Sequence, residues 1–303
     1  FSPGEAAKCV EAAESLYIEI LNQDMDWEVA LYQLATLYMQ TNRNVLAVKL
    51  LEPLAQKREA KLEVLNNLGA AYRNEHKNEQ ARKWFMEGLK IQRHPDLLAN
   101  LTALWVNEGC PEKGIPFGRE CLALDPSHKQ GRWNLGLLLL ENKEYEEGFN
   151  LYQQGFKTGE RIVRPYLNKD GKEAEFWEGQ DLKGKSIVLH GEQGVGDELL
   201  FLQFIPEFIK EHPDTHLVLD VHPRLCSMIQ RSFPEISDIF PTRKTKPEWN
   251  ESIRVDYKDG LGSLPKYYHS ARRKNVGWLK PDEYLTGCYQ DVMLGRPHDH
   301  GLQ

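Results

Sequence analysis

Long apolar stretches are missing from this chain. The longest apolar run, Leu135 to Leu140, lies between Asn134 and Glu141 and is far too short to span a bilayer. No signal segment is visible, and the first residue is Phe1 rather than a methionine, so a fragment or a processed product is expected. Cysteine is scarce and unpatterned: Cys9, Cys110, Cys121, Cys226 and Cys288 are odd in number and form no CxxC pair. That argues against a disulfide framework or a zinc site and suits reduced thiols in a cytoplasmic protein. Low-complexity tracts are also absent, and 41% hydrophobic residues with 16 prolines fit a globular chain. At 303 residues there is room for two domains, each with its own core.

Several chemistries lack their residues. His212, His216 and His222 do not share a helix face, since Pro213 separates the first two and the others lie on or beside a strand; no metal site is expected. His298 and His300 belong to a C-terminal tail. No Ser-His-Asp or Cys-His arrangement can be proposed. The net charge is −7, yet His222 to Lys280 carries 12 Lys/Arg against six Asp/Glu. Two readings of that stretch stand, a solvated surface or a lobe that attracts an anionic ligand. Its arginines have no regular aromatic interleaving, so nucleic acid is not an expected partner.

What is present in the first half is periodicity. Aligned on itself, it repeats about every 34 residues, the tetratricopeptide length. Ala35, Gly69, Thr102 and Gly136 form a column of small residues, preceded by Leu34, Leu68, Leu101 and Leu135. Tyr38, Tyr72, Trp105 and Leu139 follow one helical turn later on the same face. Ala47, Ala81, Gly114 and Gly148 form a second small column, and four residues on stand Leu51, Phe85, Gly118 and Tyr152. Gly118 is the weak point of that series, offering no side chain to the stack. Ala13, Tyr17 and Ile20 extend the pattern backwards, so residues before Asp24 read as the second helix of a half repeat. Such units bury their faces only against neighbours and build a right-handed superhelix with a concave groove.

One polar column accompanies the core. Gln33, Asn67, Asn100 and Asn134 recur two residues before each small residue of the first helices. A primary amide both donates and accepts, so it can pair with an extended backbone whatever its side chains are. The column resembles the asparagine ladder of the O-linked N-acetylglucosamine transferases, which implies a polypeptide partner in the groove. The alternative, that asparagine simply suits this point of the repeat, stays open.

From Glu160 to Lys183 the helical period stops. Gly179 to Ser186 matches the Walker A pattern, but a strand-like run, Ile187 to His190, follows it and none precedes. A phosphate loop needs the opposite order, so the match is rejected. Ile187 to His190 reads as a central parallel strand, and the next helix, about Val195 to Glu211, should kink or split at Pro206. His216 to Val221 is a second strand, Pro223 to Phe233 a second helix, and Ile236 to Phe240 and Ile253 to Tyr257 further strands. Ser263 then caps a short helix. The alternation implies a parallel sheet with helices on both faces and ligands at the carboxyl ends of its strands.

The turn after the first strand holds Glu192, Gln193, Gly194 and Gly196, with Asp197 and Glu198 opening the helix. Two carboxylates there would repel a pyrophosphate, so this lobe is not expected to hold a nucleotide. An acid at that spot suits binding a hydroxyl and taking its proton, or else merely caps the helix. The run Gly194-Val-Gly-Asp197, then Pro206, His212-Pro213-Asp214, Leu217 to Val221 and Phe233 to Ile239, resembles the N-terminal lobe of heptosyltransferase-type (GT-B) glycosyltransferases. The resemblance implies that Asp197 is the general base toward an acceptor hydroxyl, in a pocket shaped by Glu192, Gln193, Gly194, Gly196 and Glu198. It also implies that a nucleotide-sugar donor is bound mainly by a second lobe, and the tail from Tyr284 is too short to supply one. No cofactor is expected on this chain itself.

The expected architecture is therefore an all-α tetratricopeptide superhelix over residues 1–159, a connector over 160–185, one α/β Rossmann-like lobe over 186–283 and a tail over 284–303. The expected function is the acceptor-binding half of a glycosyltransferase with a polypeptide-binding arm. The competing class is a non-enzymatic interaction scaffold.

Overall fold

The computed structural model describes residues 3–153, 155–159, 161–192, 194–241, 252–268 and 279–280. The chain divides into two compact units, Phe1–Gln154 and Gly155–Gln303.

The first unit is built from helical hairpins. A long helix, α1 (Pro3–Gln23), stands where the half repeat is expected. It is followed by the pairs α2 (Glu28–Gln40) and α3 (Asn44–Ala55), α4 (Leu62–Asn74) and α5 (Asn78–Ile91), α6 (Pro95–Glu108) and α7 (Pro111–Leu124), and α8 (Lys129–Glu141) and α9 (Tyr145–Tyr152). Both small-residue columns and the leucines beside the first are buried. Leu51 and Phe85 are fully buried at the second column's partner position. Each such side chain contributes about 1.5–3 kcal/mol through removal from water.

Gly118 is not a defect in the stack. A Cβ there would lie 2.9 Å from Leu135 Cδ1, 3.1 Å from Leu135 Cβ and 3.2 Å from Thr102 Cγ2. Leu135 of the next repeat and Thr102 of the same hairpin fill the position.

The turn inside each hairpin is itself periodic. Asn42, His76, Gly109 and Lys143 all have φ between 57° and 65°, one residue in the left-handed region per repeat. The amide directly after each left-handed residue then donates back to the aromatic or leucine column: Arg43 N to Tyr38 O, Lys77 N to Tyr72 O, Cys110 N to Trp105 O and Glu144 N to Leu139 O. This is the helix-ending motif in which a left-handed residue lets the chain satisfy a last-turn carbonyl.

The second unit contains a five-stranded, wholly parallel sheet in the order β1-β5-β2-β3-β4. The strands are β1 (Glu175–Phe176), β2 (Ser186–His190), β3 (His216–Val221), β4 (Asp238–Pro241) and β5 (Tyr257–Gly260). β2 is buried throughout, as a continuous apolar run in a parallel sheet requires. Between β2 and β3 the helix is split into α11 (Val195–Leu202) and α12 (Ile205–Glu211), with Pro206 in the first turn of the second piece. α10 (Gly155–Thr158) precedes the sheet, α13 (Cys226–Ser232) lies between β3 and β4, and α14 (Leu264–Tyr268) follows β5.

Two expectations are modified. β5 begins at Tyr257, where the reading from sequence ended it, and it runs on through Lys258 and Asp259. The apolar run before it is tied outside the sheet by Val255 N to Leu167 O, and Asp256 N then reaches Ser186 O at the start of β2. Among the described residues the helices lie unevenly on the two faces of the sheet, the four-residue α10 being the one on the second, through Phe156 against Phe176 and His190. Ile187, Leu189, Leu217, Leu219 and Val221 pack with Leu202, Ile205, Phe208, Ile229 and Leu264 of the helices. On that second face Val188 and Val218 pack with Tyr166, Ala174 and Val255, so irregular chain supplies the rest of the cover. The Walker-like stretch is a turn, with Gly179 at φ 98° and Gly184 at φ 66°, leading directly into β2.

Candidate functional site

In the repeat unit the amide column is divided by its partners. Asn134 is buried; its Nδ2 donates to Ala99 O at 3.0 Å and its Oδ1 accepts from Gln130 Nε2 at 3.1 Å. Asn100 Nδ2 donates to Asn66 Oδ1 at 2.9 Å, and Asn100 Oδ1 accepts from Arg73 Nη1 at 2.9 Å. Asn67 Nδ2 donates to the Tyr32 hydroxyl at 3.0 Å, but its Oδ1 accepts no hydrogen bond among the described residues. Gln33 is exposed. Each asparagine therefore reaches one repeat back and stitches successive first helices. At the N-terminal end of the column Gln33 is exposed and the Asn67 acceptor is unused among the described residues.

In the second unit the turn between β2 and α11 separates its acids. Asp197 is exposed, and its Oδ2 accepts from Gly194 N at 3.1 Å, the reciprocal contact of a helix N-cap. Glu198 is buried, and its Oε2 accepts from His222 N at 2.7 Å, tying the end of β3 to the turn. Glu192 is buried against Arg161, 2.5 Å from Nη2, and its Oε1 also accepts from Gly262 N at 3.1 Å. Gly194 and Gly196 are exposed, and a Cβ on Gly196 would meet nothing within 4 Å. Gln193 lies outside the described residues.

Beside that turn lies a polar cluster that sequence reasoning missed. Arg161 Nη2 donates to Ser263 Oγ at 3.2 Å, and Ser263 Oγ donates to Asp259 Oδ1 at 2.5 Å. Gly260 is required by close approach, since a Cβ there would sit 2.5 Å from Glu192 Oε2 and 2.6 Å from Arg161 Nη2. Burial pushes the Asp259 carboxyl up to about 7, against the pull of Arg161 and Ser263. On the opposite face of the sheet the Tyr166 hydroxyl donates to Asp220 Oδ2 at 2.5 Å, and Arg164 Nη1 stands 3.8 Å from the same oxygen. Lys258 is buried and donates to Arg164 O and to Glu173. His190 Nε2 lies 3.1 Å from Ile162 O, and burial with help from Arg164 pushes its imidazole down to about 3.

The remaining histidines serve local roles. His212 packs on Trp177, His216 Nε2 lies 2.6 Å from Asp238 Oδ2, and His222 Nδ1 accepts from Arg224 N. No helix among the described residues is long and apolar enough to cross a membrane. His298 and His300 lie outside the described residues.

Helical hairpins with this period and these small-residue columns define tetratricopeptide repeats. Residues 62–94 match the family model described as Tetratricopeptide repeat. Protein FlbA of Caulobacter vibrioides is 31% identical over 121 residues, 35% of this chain and 20% of that protein. Human Protein O-mannosyl-transferase TMTC1 is 32% identical over 87 residues, 28% of this chain and 10% of that protein. The chain thus spans a fifth or less of the length of these relatives. Among solved structures, MamA is similar at a TM-score of 0.45 and 16% identity, over 52% of this chain and 92% of that one. YrrB, described as a TPR protein with an unusual peptide-binding site, has a TM-score of 0.41 and 14% identity over 50% of this chain and 79% of that one.

Proposed function

We propose that this is a polypeptide-binding protein whose repeat unit holds an extended segment of a partner. The observation that carries the reading is the unused acceptor on Asn67 beside the exposed amide of Gln33. A backbone N–H is the donor that such an acceptor fits irrespective of sequence. The amides of Asn100 and Asn134 are already engaged, so their part is to hold the helices that present the open end. Calorimetry with unstructured peptides tests this. Asn67→Ala should weaken binding about tenfold, the loss of one net hydrogen bond with its pre-organised partner. Unchanged affinity in that variant refutes it.

A second reading is favoured by one further observation, the exposed Asp197 carboxylate at the carboxyl end of a central parallel strand. In this reading the second unit is a Rossmann-like, heptosyltransferase-type acceptor lobe of a GT-B glycosyltransferase. Asp197 takes the proton of an acceptor hydroxyl as that oxygen bonds to the sugar's anomeric carbon and the nucleotide leaves. Gly196 leaves open space for the acceptor and Gly194 lies against the Asp197 carboxylate, whereas Glu192 and Glu198 brace the turn from inside. The donor, a nucleotide-sugar, would be held by a second lobe. One relative bears the name of an O-mannosyl-transferase, which is transfer to an oxygen. In the full-length protein Asp197→Asn should abolish transfer and leave peptide affinity intact; retained transfer removes Asp197 from the role.

A further inference from the structure

The open end of the amide column has a cavity one helical turn before it. About 240 Å³ of space lies between the first turns of α2 and α4 and the segment leaving α3. Val29, Tyr32, Leu54, Ala60 and Val64 form its apolar walls. Leu54 and Val64 are buried, while Val29 is 51% exposed and marks the mouth. A cavity of about 150 Å³ admits a benzene ring, so this one takes an aromatic or a large branched side chain.

Its position relative to the amides follows from helix periodicity. Val29 precedes Gln33 by four residues, and Glu63 precedes Asn67 by four, so cavity and amides share the same two helix faces. Tyr32 joins them, lining the cavity with its ring while its hydroxyl accepts from Asn67. One helical turn is about 5.4 Å. An extended chain advances about 3.3 Å per residue. A backbone held at Asn67 therefore places a side chain about two residues away over the cavity.

The rim selects charge. Glu28 and Lys57 pair at 2.7 Å and neutralise one another. Glu59 and Glu63 remain with Lys61 and no ion pair among the described residues, which leaves the lining one unit negative.

We propose that this cavity is the anchor pocket for an aromatic or large aliphatic residue of the bound polypeptide, flanked in the partner by Lys or Arg. The proposal rests on the polypeptide-binding reading above and gives it a sequence preference. Three synthetic peptides test it by calorimetry: an eight-residue alanine-serine peptide with one Trp between two lysines, the same peptide with Ala for Trp, and the same with Glu for both lysines. The Trp-Lys peptide should bind ~10-fold or more tightly than its Ala counterpart, the range for a buried anchor. It should also exceed the Glu peptide, and Glu59→Lys with Glu63→Lys should reverse that preference. Val29→Trp, which fills the mouth from an exposed position, should weaken the Trp peptide to the level of the Ala peptide. If Asn67→Ala weakens all three peptides while the Trp-to-Ala change and Val29→Trp do nothing, polypeptides bind but the pocket is not their anchor. If no peptide binds, both readings fall. Should Val29→Trp unfold, the Trp-to-Ala comparison on the unaltered protein decides alone.

Discussion

Asp259 and His190 are both fully buried in the second unit, and their ionisation is displaced in opposite directions. Unfolded, an Asp titrates near 3.9 and a His near 6.5, at about 1.4 kcal/mol per unit of displacement. Folded, Asp259 keeps its proton until about 7, so between pH ~4 and ~7 the native state holds more protons than the unfolded one. Stability from this group falls as pH rises through that window. His190 refuses its proton down to about 3, because a charge would be buried near Arg164, Arg161 and Lys258. Stability from this group rises with pH between ~3 and ~6.5. From pH ~4 to ~6.5 the two slopes cancel, and the wild-type contribution of the pair is flat. Asp259→Asn keeps the acceptor for Ser263 and removes one slope. The variant should then gain about 3 kcal/mol between pH 4 and 6.5, the His190 slope unmasked. His190→Gln should show the reverse, a fall of similar size. Urea unfolding at a series of pH values, followed by hydrogen exchange of the β2 segment, measures both. A pH profile for Asp259→Asn that superimposes on the wild type refutes the buried-proton argument.

The repeat unit gives two simpler tests. Lys143 occupies the left-handed turn position that Gly109 fills in the preceding repeat, so Lys143→Gly should stabilise by about 1 kcal/mol; thermal unfolding checks it, and a lowered midpoint contradicts it. Gly118→Ala should destabilise by about 1–3 kcal/mol despite alanine's helix propensity, because the new Cβ meets the rigid Cβ of Leu135 at 3.1 Å. A gain in denaturation midpoint would show that the two helices slide apart at no cost.

The hairpin array was legible because its signals are local and periodic. Small residues recur where helices cross, and leucines recur beside them; both columns are buried as read. The left-handed turn column escaped notice because Asn42, His76 and Lys143 are not glycines, and only Gly109 carries the usual punctuation. Pro206 marked the split between α11 and α12 correctly, since a missing N–H is harmless only in a first turn. The end of β5 was misplaced for a different reason. Hydropathy follows apolar runs, whereas this strand runs on through Lys258 and Asp259, whose burial depends on partners 85 and 94 positions earlier or four positions later. Arg161, Arg164 and Tyr166 were invisible on the same ground. They sit in an irregular, polar segment, and only the fold brings them to Glu192, Asp220 and Ser263.

The division of the amide column bears on what a repeat of asparagines can mean. A residue that recurs with the repeat has two opportunities at each turn, the neighbouring helix or a ligand, and an amide has one donor end and one acceptor end to distribute. At Asn100 and Asn134 both ends are taken by the protein. At Asn67 the donor end binds the preceding helix through Tyr32 and the acceptor end is open. The distinction is set by what precedes each amide, since Arg73 reaches the acceptor of Asn100 and Gln130 that of Asn134. A periodic amide thus marks the face on which a polypeptide could lie. Which amides can touch it is decided by the non-periodic residues around them.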